Sequence, residues 1–111
     1  MRRVIVESPC AGDRERNERY LTAALVDCLL RGETPYASHA ILTRPGVLDD
    51  TSPAQRELGL VAGFAWRDAA DATVVYVDLG ITPGMQRGID DATHKRQAVE
   101  MRELPGWAVT R

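Results

Sequence analysis

The run from Ala72 to Val77 restricts the possible folds of this chain more than any other stretch. It has the sequence ATVVYV, in which every residue after Ala72 is β-branched or aromatic. A strand with one face in water alternates apolar and polar side chains, whereas the central strand of a parallel sheet is covered on both faces and is almost continuously apolar. The run therefore predicts the centre of a parallel sheet in an α/β domain.

Strand-like and helix-like patterns alternate along the rest of the chain. Alternation of this kind gives a right-handed, mostly parallel sheet with helices on both faces. We therefore expect a three-layer α/β sandwich with a small, mostly parallel sheet of about four strands. The predicted strands cover residues 3–7, 35–37, 72–77 and 97–101, and the predicted helices cover residues 14–31, residues 52–70 and a stretch that begins at residue 82.

Two predicted helices have clear signals at their ends. Asp13 is the expected N-cap of the first helix and Gly32 its C′ residue, while Ser52 and Gln55 predict a capping box at the start of the second. Residues 41–50 indicate a long connection between strand and helix. The stripes expected to face the core are Leu21, Ala24, Leu25, Cys28 and Leu29 in the first helix, and Leu58, Val61, Ala62, Ala65, Trp66 and Ala69 in the second.

Length and charge limit the partners of the chain. Its 111 residues fit one domain, residues 1–111. A domain of this size buries only about two-thirds of its unfolded surface, which favours a homodimer or a higher homo-oligomer. The net charge is −2, with 14 basic and 16 acidic residues in mixed order, and this excludes the clustered cations of a nucleic-acid-binding surface. With no secretory signal or membrane-spanning run, we expect a cytoplasmic protein.

The cysteines indicate neither a metal site nor a disulfide. Cys10 and Cys28 lack metal-ligand spacing, and Cys28 falls in an apolar helical stretch where a buried thiol is expected. Cys10 lies in a loop, and nothing in the spacing pairs it with either histidine, as a nucleophilic thiol would require. We expect no metal and no cofactor.

Polar, glycine-rich loops follow three of the predicted strands. They cover residues 8–13, 38–42 and 78–84. Ligands of open parallel sheets bind beyond the carboxyl ends of the strands, where the strand order reverses. We therefore expect the three loops to meet along one rim and to form a single pocket for a polar small molecule.

The first of these loops contributes several candidate binding residues. A loop that leads into a helix presents backbone N–H groups to an anion, although this one has neither the P-loop pattern nor the dinucleotide fingerprint. The alternative is a simple turn followed by a helix cap. The candidates are Ser8, Pro9, Gly12 and Asp13, with Asn17 reaching back from the first helix.

The other two loops add further candidates. Asp78, at the end of the central strand, accepts a sugar hydroxyl or caps the turn into Gly80, which is itself a candidate binding residue. Gly84 and Met85 open the third helix, where a glycine allows a phosphate or sugar to approach closely, unless packing alone requires it. His39 binds a phosphate or acts as acid or base near neutral pH, or else bonds to the backbone as a structural histidine.

Three short motifs along the chain have a characteristic order and spacing. They are residues 4–9 (VIVESP) with Gly12-Asp13, Trp66 shortly before residues 70–75 (ADATVV), and Gly84-Met85 at the start of a helix. In this order they resemble the nucleoside 2-deoxyribosyltransferase superfamily, and especially its small members from actinobacteria and their phages. The resemblance spans nearly the whole chain and implies a flavodoxin-like, or Rossmann-like, fold and cleavage of an N-glycosidic bond.

The chain departs from this family at two functional positions. Family members use a Glu nucleophile on the helix after the central strand, four residues beyond the position of Gly84, and that position is Gly88 here. The family's Asp three residues before the helix Trp corresponds to Gly63. On this reading Asp90 or Asp91 supplies the carboxylate from a shifted position, although a misplacement of about 1 Å can cost roughly a hundredfold in rate.

Two hypotheses follow for the function. The first is an enzyme, transferase or hydrolase, that acts on the N-glycosidic bond of a nucleoside or nucleotide, with Asp78 orienting the sugar and Asp90 or Asp91 as the reacting carboxylate. The second is a module that binds or sequesters a nucleotide without turnover, which the glycine at position 88 favours.

Overall fold

Residues 1–107, which the computed structural model describes, form four strands and four helices. Residues 108–111 of the predicted domain lie outside this range. The elements follow one another in the order β1 (Arg2–Glu7), α1 (Arg14–Leu30), β2 (Glu33–Tyr36), α2 (Ser38–Leu42), α3 (Pro53–Arg67), β3 (Ala72–Tyr76), α4 (Pro83–His94) and β4 (Ala98–Arg102).

The four strands form one parallel sheet in the order β2-β1-β3-β4. Ile5 of β1 is aligned with Tyr36 of β2 on one side and with Thr73 of β3 on the other. Every residue of β3 is buried, as its apolar sequence predicts. The strand order reverses between β1 and β3, so a crevice for a ligand is expected at their carboxyl ends.

The two faces of the sheet are covered by different helices. On one face, Tyr20, Leu21 and Ala24 of α1 pack against the apolar side chains of β1 and β3. On the other face, Met85 and Ile89 of α4 pack against Val75 of β3 and its neighbours. Because α3 contacts α4, these two helices lie together on this second face. The three-layer α/β sandwich predicted from the sequence is confirmed.

The helices begin at the predicted caps, but the capping box expected from Ser52 and Gln55 is only half formed, because the Gln55 side chain accepts the backbone N–H of Asp49 at 2.7 Å instead of that of Ser52. The side chain of Asp13 accepts a hydrogen bond from the backbone N–H of Arg16 at 3.1 Å, and Ser52 accepts one from Gln55 at 3.4 Å. Gly32, just beyond α1, has φ +79°, a left-handed conformation that glycine adopts at little cost. The caps fix where α1 and α3 begin, and hence how both helices approach the rim of the sheet.

Several boundaries differ from the prediction. Residues 38–42 form a short helix, α2, where a loop was expected, and β2 begins at Glu33 rather than at Pro35. Helix α3 ends at Arg67, three residues before the predicted end at Ala70. Pairing of β2 with β1 decides the start of that strand, and such tertiary contacts leave little trace in the local sequence.

The predicted core faces of α1 and α3 are partly wrong. Leu29 is exposed, and so are Leu58 and Val61. Trp66, predicted to lie in the core, is 54% exposed and packs beside Tyr36 with ring centroids 5.1 Å apart. The buried positions of α3 are instead Gly63 and Arg67, because this helix turns small and polar residues towards the pocket. Within residues 1–107, no helix is long and apolar enough to cross a membrane.

Candidate functional site

A pocket of about 380 Å³ opens at the carboxyl edge of the sheet. Its size falls in the range of roughly 300–1,000 Å³ that is usual for small-molecule sites. The wall combines the loop after β1, helix α2, one side of α3 and the first turn of α4, so the rim contains residues from all three predicted loops. The predicted binding residues on this wall are Ser8, Gly12, His39, Gly84 and Met85.

Three other candidates, two from the first loop and one from α1, do not face this pocket. Pro9 lines a neighbouring cavity between α1 and α2. Asp13 caps α1, and the buried side chain of Asn17 donates hydrogen bonds to the backbone oxygens of Cys10 and Ala11, at 3.3 and 2.9 Å. Asp13 and Asn17 therefore hold the loop in shape, and the loop in turn presents Ser8 and Gly12.

Asp78 does not lie on the pocket wall. Its Oδ2 accepts hydrogen bonds from the hydroxyl of Tyr20 at 2.6 Å and from the backbone N–H of Leu104 at 2.9 Å. These contacts attach the segment after β4 to the α1 face of the sheet. Gly80, with φ +89°, lies in the turn that follows and is also absent from the wall. The structure places both residues in an anchoring turn.

The two aspartates of α4 lie outside the pocket as well. Asp90 is exposed and accepts a hydrogen bond from Gln86 at 2.9 Å. Asp91 lies behind the pocket, where its Oδ2 pairs with Arg67 at 2.8 Å and with Lys95 at 3.0 Å. Neither carboxylate is placed to touch a molecule in the pocket.

His39 and Ser8 form a hydrogen-bonded pair on the wall. The distance between Ser8 Oγ and His39 Nε2 is 2.9 Å. Burial lowers the pKa of His39 from 6.5 to about 4, because it disfavours the charged imidazolium. The ring is therefore neutral at pH 7, which fits a hydrogen-bonding role.

The carboxylate of Glu7 reaches the pocket from the end of β1. A Cβ atom added to Gly88 would lie 2.1 Å from Glu7 Oε2 and 2.4 Å from Glu7 Cδ. The glutamate thus occupies the space that a side chain at position 88 would fill. Its side chain is 15% exposed, and Glu7 is one of the residues of the pocket wall.

Arg67 forms an ion pair with this carboxylate. Its guanidinium donates Nη2 to Glu7 at 3.0 Å, Nε to Asp91 at 2.8 Å and Nη1 to Thr73 at 2.5 Å. The net effect on Glu7 is a raised pKa: burial raises it most, Arg67 lowers it, and the charge of Asp91 raises it further. Arg67 fixes one carboxylate oxygen of Glu7 in a site with little access to water.

The side-chain space beside a second glycine of the site is also occupied by a neighbouring residue. A Cβ on Gly63 of α3 would lie 2.6 Å from Ser38 Oγ and 2.9 Å from Ser38 Cβ. Ser38 lines the pocket and occupies the side-chain space of position 63. Both positions at which the sequence departs from the deoxyribosyltransferase pattern are therefore occupied by polar groups from other elements.

The first turn of α4 can hold an anion. Thr82 caps the helix by accepting the N–H of Met85 at 3.2 Å, whereas the backbone N–H of Gly84 has no acceptor within residues 1–107. Arg56 of α3 faces this turn, with its Nη2 3.9 Å from the position of a Cβ on Gly84. A helix start beside a guanidinium favours phosphate.

The cysteines and acidic groups supply no metal centre. Burial and the charge of Asp50 raise the pKa of the Cys10 thiol, which lies 4.0 Å from Asp50 Oδ2, so Cys10 is a protonated thiol on the pocket wall at neutral pH. Cys28 is buried in α1, as predicted. Among residues 1–107, no group of three or more His, Cys, Asp or Glu side chains could hold a metal ion.

Four residues of the pocket wall were not among the predicted site residues: Glu7, Ser38, Arg56 and Arg67. The signal for Glu7 was present: it is an acidic residue that directly follows a buried apolar strand at the expected rim. Arg67 is a charged residue in a helix whose neighbours are mostly small or apolar, a pattern that indicates a buried partner. Ser38 and Arg56 carry no such signal, because their role depends on how α2 and α3 pack.

Comparison with known proteins supports the fold. The Clostridium botulinum CMP N-glycosidase BcmB is similar in structure, with a TM-score of 0.53 and 14% sequence identity over 92% of this chain and 69% of that chain. This similarity confirms the predicted flavodoxin-like arrangement. No curated protein matches the sequence. The family model described as "Domain of unknown function (DUF7768)" matches residues 2–102, and the chain therefore belongs to this family.

Proposed function

We propose that this chain cleaves the N-glycosidic bond of a nucleoside 5′-monophosphate, passing the sugar to water or to a second base. The motifs of the sequence resemble those of nucleoside 2-deoxyribosyltransferases, and the structural neighbour is named as a CMP N-glycosidase. Because a shared fold does not fix a reaction, the support must come from the groups in the pocket.

The observation that carries this proposal is the placement of charge along α4. Gly84 and Arg56 offer a backbone N–H and a guanidinium to an anion at the start of the helix, and the Glu7 carboxylate lies beside Gly88, one turn or about 6 Å further along. A furanose ring with its 5′ carbon spans a similar length. A phosphate bound at the helix start therefore places the anomeric carbon near a carboxylate, which stabilises an oxocarbenium-like transition state.

The remaining wall suits a sugar and a base. The Ser8–His39 pair offers neutral hydrogen-bonding groups, which can contact a sugar hydroxyl or a base edge without adding charge. Apolar side chains of α2 and α3 offer a surface for the flat base. These apolar residues are Leu42, Leu60 and Phe64.

The test is to incubate the protein with a panel of ribo- and deoxyribonucleoside 5′-monophosphates and the matching nucleosides, and to measure free base by chromatography. We expect base release from at least one monophosphate, faster than from its nucleoside. Arg56→Ala should raise KM for the monophosphate about tenfold, the value of one charge-assisted hydrogen bond, and leave the nucleoside reaction unchanged. If no monophosphate loses its base, the proposal is wrong.

A non-catalytic nucleotide-binding module is the second candidate. The observation that favours it is the ion pair between Glu7 and Arg67, which also explains a buried glutamate as a structural group. This candidate predicts that a nucleoside monophosphate raises the melting temperature and is recovered unchanged from the mixture. Base release under the same conditions excludes it.

We also propose that the chain forms a homodimer through α3. Leu58, Val61 and Trp66 are exposed on this helix, and their spacing places them on one side of it. Contact with a second copy would remove this apolar surface from water. Analytical ultracentrifugation should give twice the chain mass, and Val61→Glu should return the monomer.

A further inference from the structure

We propose that Glu7, at the end of β1, is the reacting carboxylate of this site, in the place of the side chain that α4 lacks at Gly88. This inference rests on the proposed N-glycosidic bond chemistry and names the group that performs it. The sequence had suggested Asp90 or Asp91, both of which the structure places outside the pocket.

The position of the Glu7 carboxylate depends on the absence of a side chain at Gly88. A Cβ on Gly88 would approach Glu7 Oε1 to 2.8 Å, Cδ to 2.4 Å and Oε2 to 2.1 Å. Any side chain at position 88 therefore requires Glu7 to move. Conversely, the absence of that side chain lets β1 deliver a carboxylate to the same region of the pocket that a glutamate on α4 would reach.

The two oxygens of Glu7 have different environments. Oε2 accepts a hydrogen bond from Arg67, whereas Oε1 accepts none within residues 1–107 and belongs to a side chain on the pocket wall. Asp50, the other carboxylate on the wall, has both oxygens engaged: Oδ1 pairs with Arg14 at 2.5 Å, and Oδ2 accepts the Cys10 thiol at 4.0 Å. Glu7 is therefore the carboxylate with an oxygen available to a bound sugar.

Arg67 is a positioning residue for this carboxylate. Each of its three nitrogens donates to a different acceptor, and its side chain is only 1% exposed. A guanidinium held in this way cannot rotate without losing at least one bond. It therefore fixes the orientation of Glu7, which keeps the free oxygen directed away from Arg67.

The reaction proceeds by two displacements at the anomeric carbon. Oε1 of Glu7 bonds to C1′ while the C1′–N bond breaks; the electron pair stays on the base nitrogen, which takes a proton from water. A water molecule then adds its oxygen to C1′, the C1′–Oε1 bond breaks, and the water proton passes to solvent. Nucleotide and water become free base and sugar 5-phosphate, and the Glu7 carboxylate is restored.

The first test compares Glu7→Gln with Asp90→Asn. Both substitutions remove one carboxylate charge, but Asp90 is exposed on α4 and outside the pocket. With the monophosphate that the wild-type protein cleaves fastest, Glu7→Gln should lower kcat by about a thousandfold or more, whereas Asp90→Asn should retain the wild-type value. Melting temperatures measured alongside separate loss of catalysis from loss of fold.

The second test transfers the carboxylate from position 7 in β1 to position 88 in α4. Glu7→Ala should be inactive, and Glu7→Ala combined with Gly88→Glu should recover at least tenfold in kcat over Glu7→Ala alone. Gly88→Glu alone should lose activity, because two carboxylates then compete for one space. A merely structural Glu7 predicts no recovery in the double variant.

The outcomes separate this inference from the function on which it rests. If the wild-type protein releases no base, the proposed function and the inference are both wrong. If the wild-type protein is active and folded Glu7→Gln keeps its kcat, the function stands and the assignment of Glu7 is overturned. Loss in Glu7→Gln with recovery in the double variant supports the assignment.

Discussion

Arg67 is a fully charged side chain that the fold buries almost completely. It is the shared partner of Glu7 and Asp91, and it also contacts the ring of Phe64. Removal of one member of a buried ion pair leaves an uncompensated charge. The resulting loss of folding free energy is larger than the net stabilisation that the intact pair provides. The stability of this part of the fold and the position of the candidate carboxylate therefore depend on the same residue.

Arg67→Met should lower the free energy of unfolding by about 3–5 kcal/mol, because it leaves two carboxylates without their buried partner. Arg87→Met is the matched control: Arg87 also contacts Phe64, but it pairs with Glu57 at the surface, so its loss should have little effect. Urea denaturation of both variants makes the comparison. Equal losses in the two variants would contradict this account.

His39 should make the stability of the protein depend on pH. Its pKa is about 4 in the fold, against 6.5 when exposed, so the folded state prefers the neutral ring. The stabilisation is present above pH 6.5 and is lost progressively as pH falls from 6.5 through about 4, by roughly 3 kcal/mol in total. Between pH 7 and 4, the free energy of unfolding measured by denaturation should fall by roughly 3 kcal/mol more for the wild type than for His39→Gln, and parallel curves would refute the prediction.

At the scale of elements, the sequence predicts some features well and others poorly. β3 and the caps Asp13 and Ser52 follow from local patterns, and the structure has them where they were expected. Helix α2 was missed, because only five residues form it and none of them is buried. The inner face of α3 was also misjudged, since its stripe of apolar residues faces outward while Gly63 and Arg67 face the pocket.

Helix α4 offers a matched pair of glycines. Gly→Ala inside a helix usually stabilises it by up to about 1 kcal/mol. At Gly84 the nearest atoms to an added Cβ are 3.9 and 4.0 Å away, so Gly84→Ala should show that gain. At Gly88 the Cβ would displace Glu7 from Arg67, so Gly88→Ala should be less stable than Gly84→Ala. Thermal denaturation compares the stabilities of the two variants. A Gly88→Ala variant more stable than Gly84→Ala would contradict the contact between Glu7 and Gly88.

At the scale of the whole molecule, the location of the site was predictable and its chemistry was not. Parallel strands end on one edge, so the loops after β1, β2 and β3 had to meet there, as residues on the pocket wall show. The identity of the candidate carboxylate depends on the empty side-chain space at Gly88 of α4, which Glu7 of β1 occupies. Contact between Glu7 and Gly88 joins two positions far apart in sequence, and neither position alone indicates the other.

The most direct test of the central claim is to trap the sugar on the protein. A 2-fluoro-substituted nucleoside monophosphate slows the second displacement, because fluorine destabilises the oxocarbenium-like transition state, and tryptic mass spectrometry then locates the adduct. We predict a sugar phosphate on the peptide of residues 4–14, in which Glu7 and Asp13 are the only carboxylates, with fragmentation placing it on Glu7. An adduct on any other peptide, or base release without an adduct, would contradict the claim.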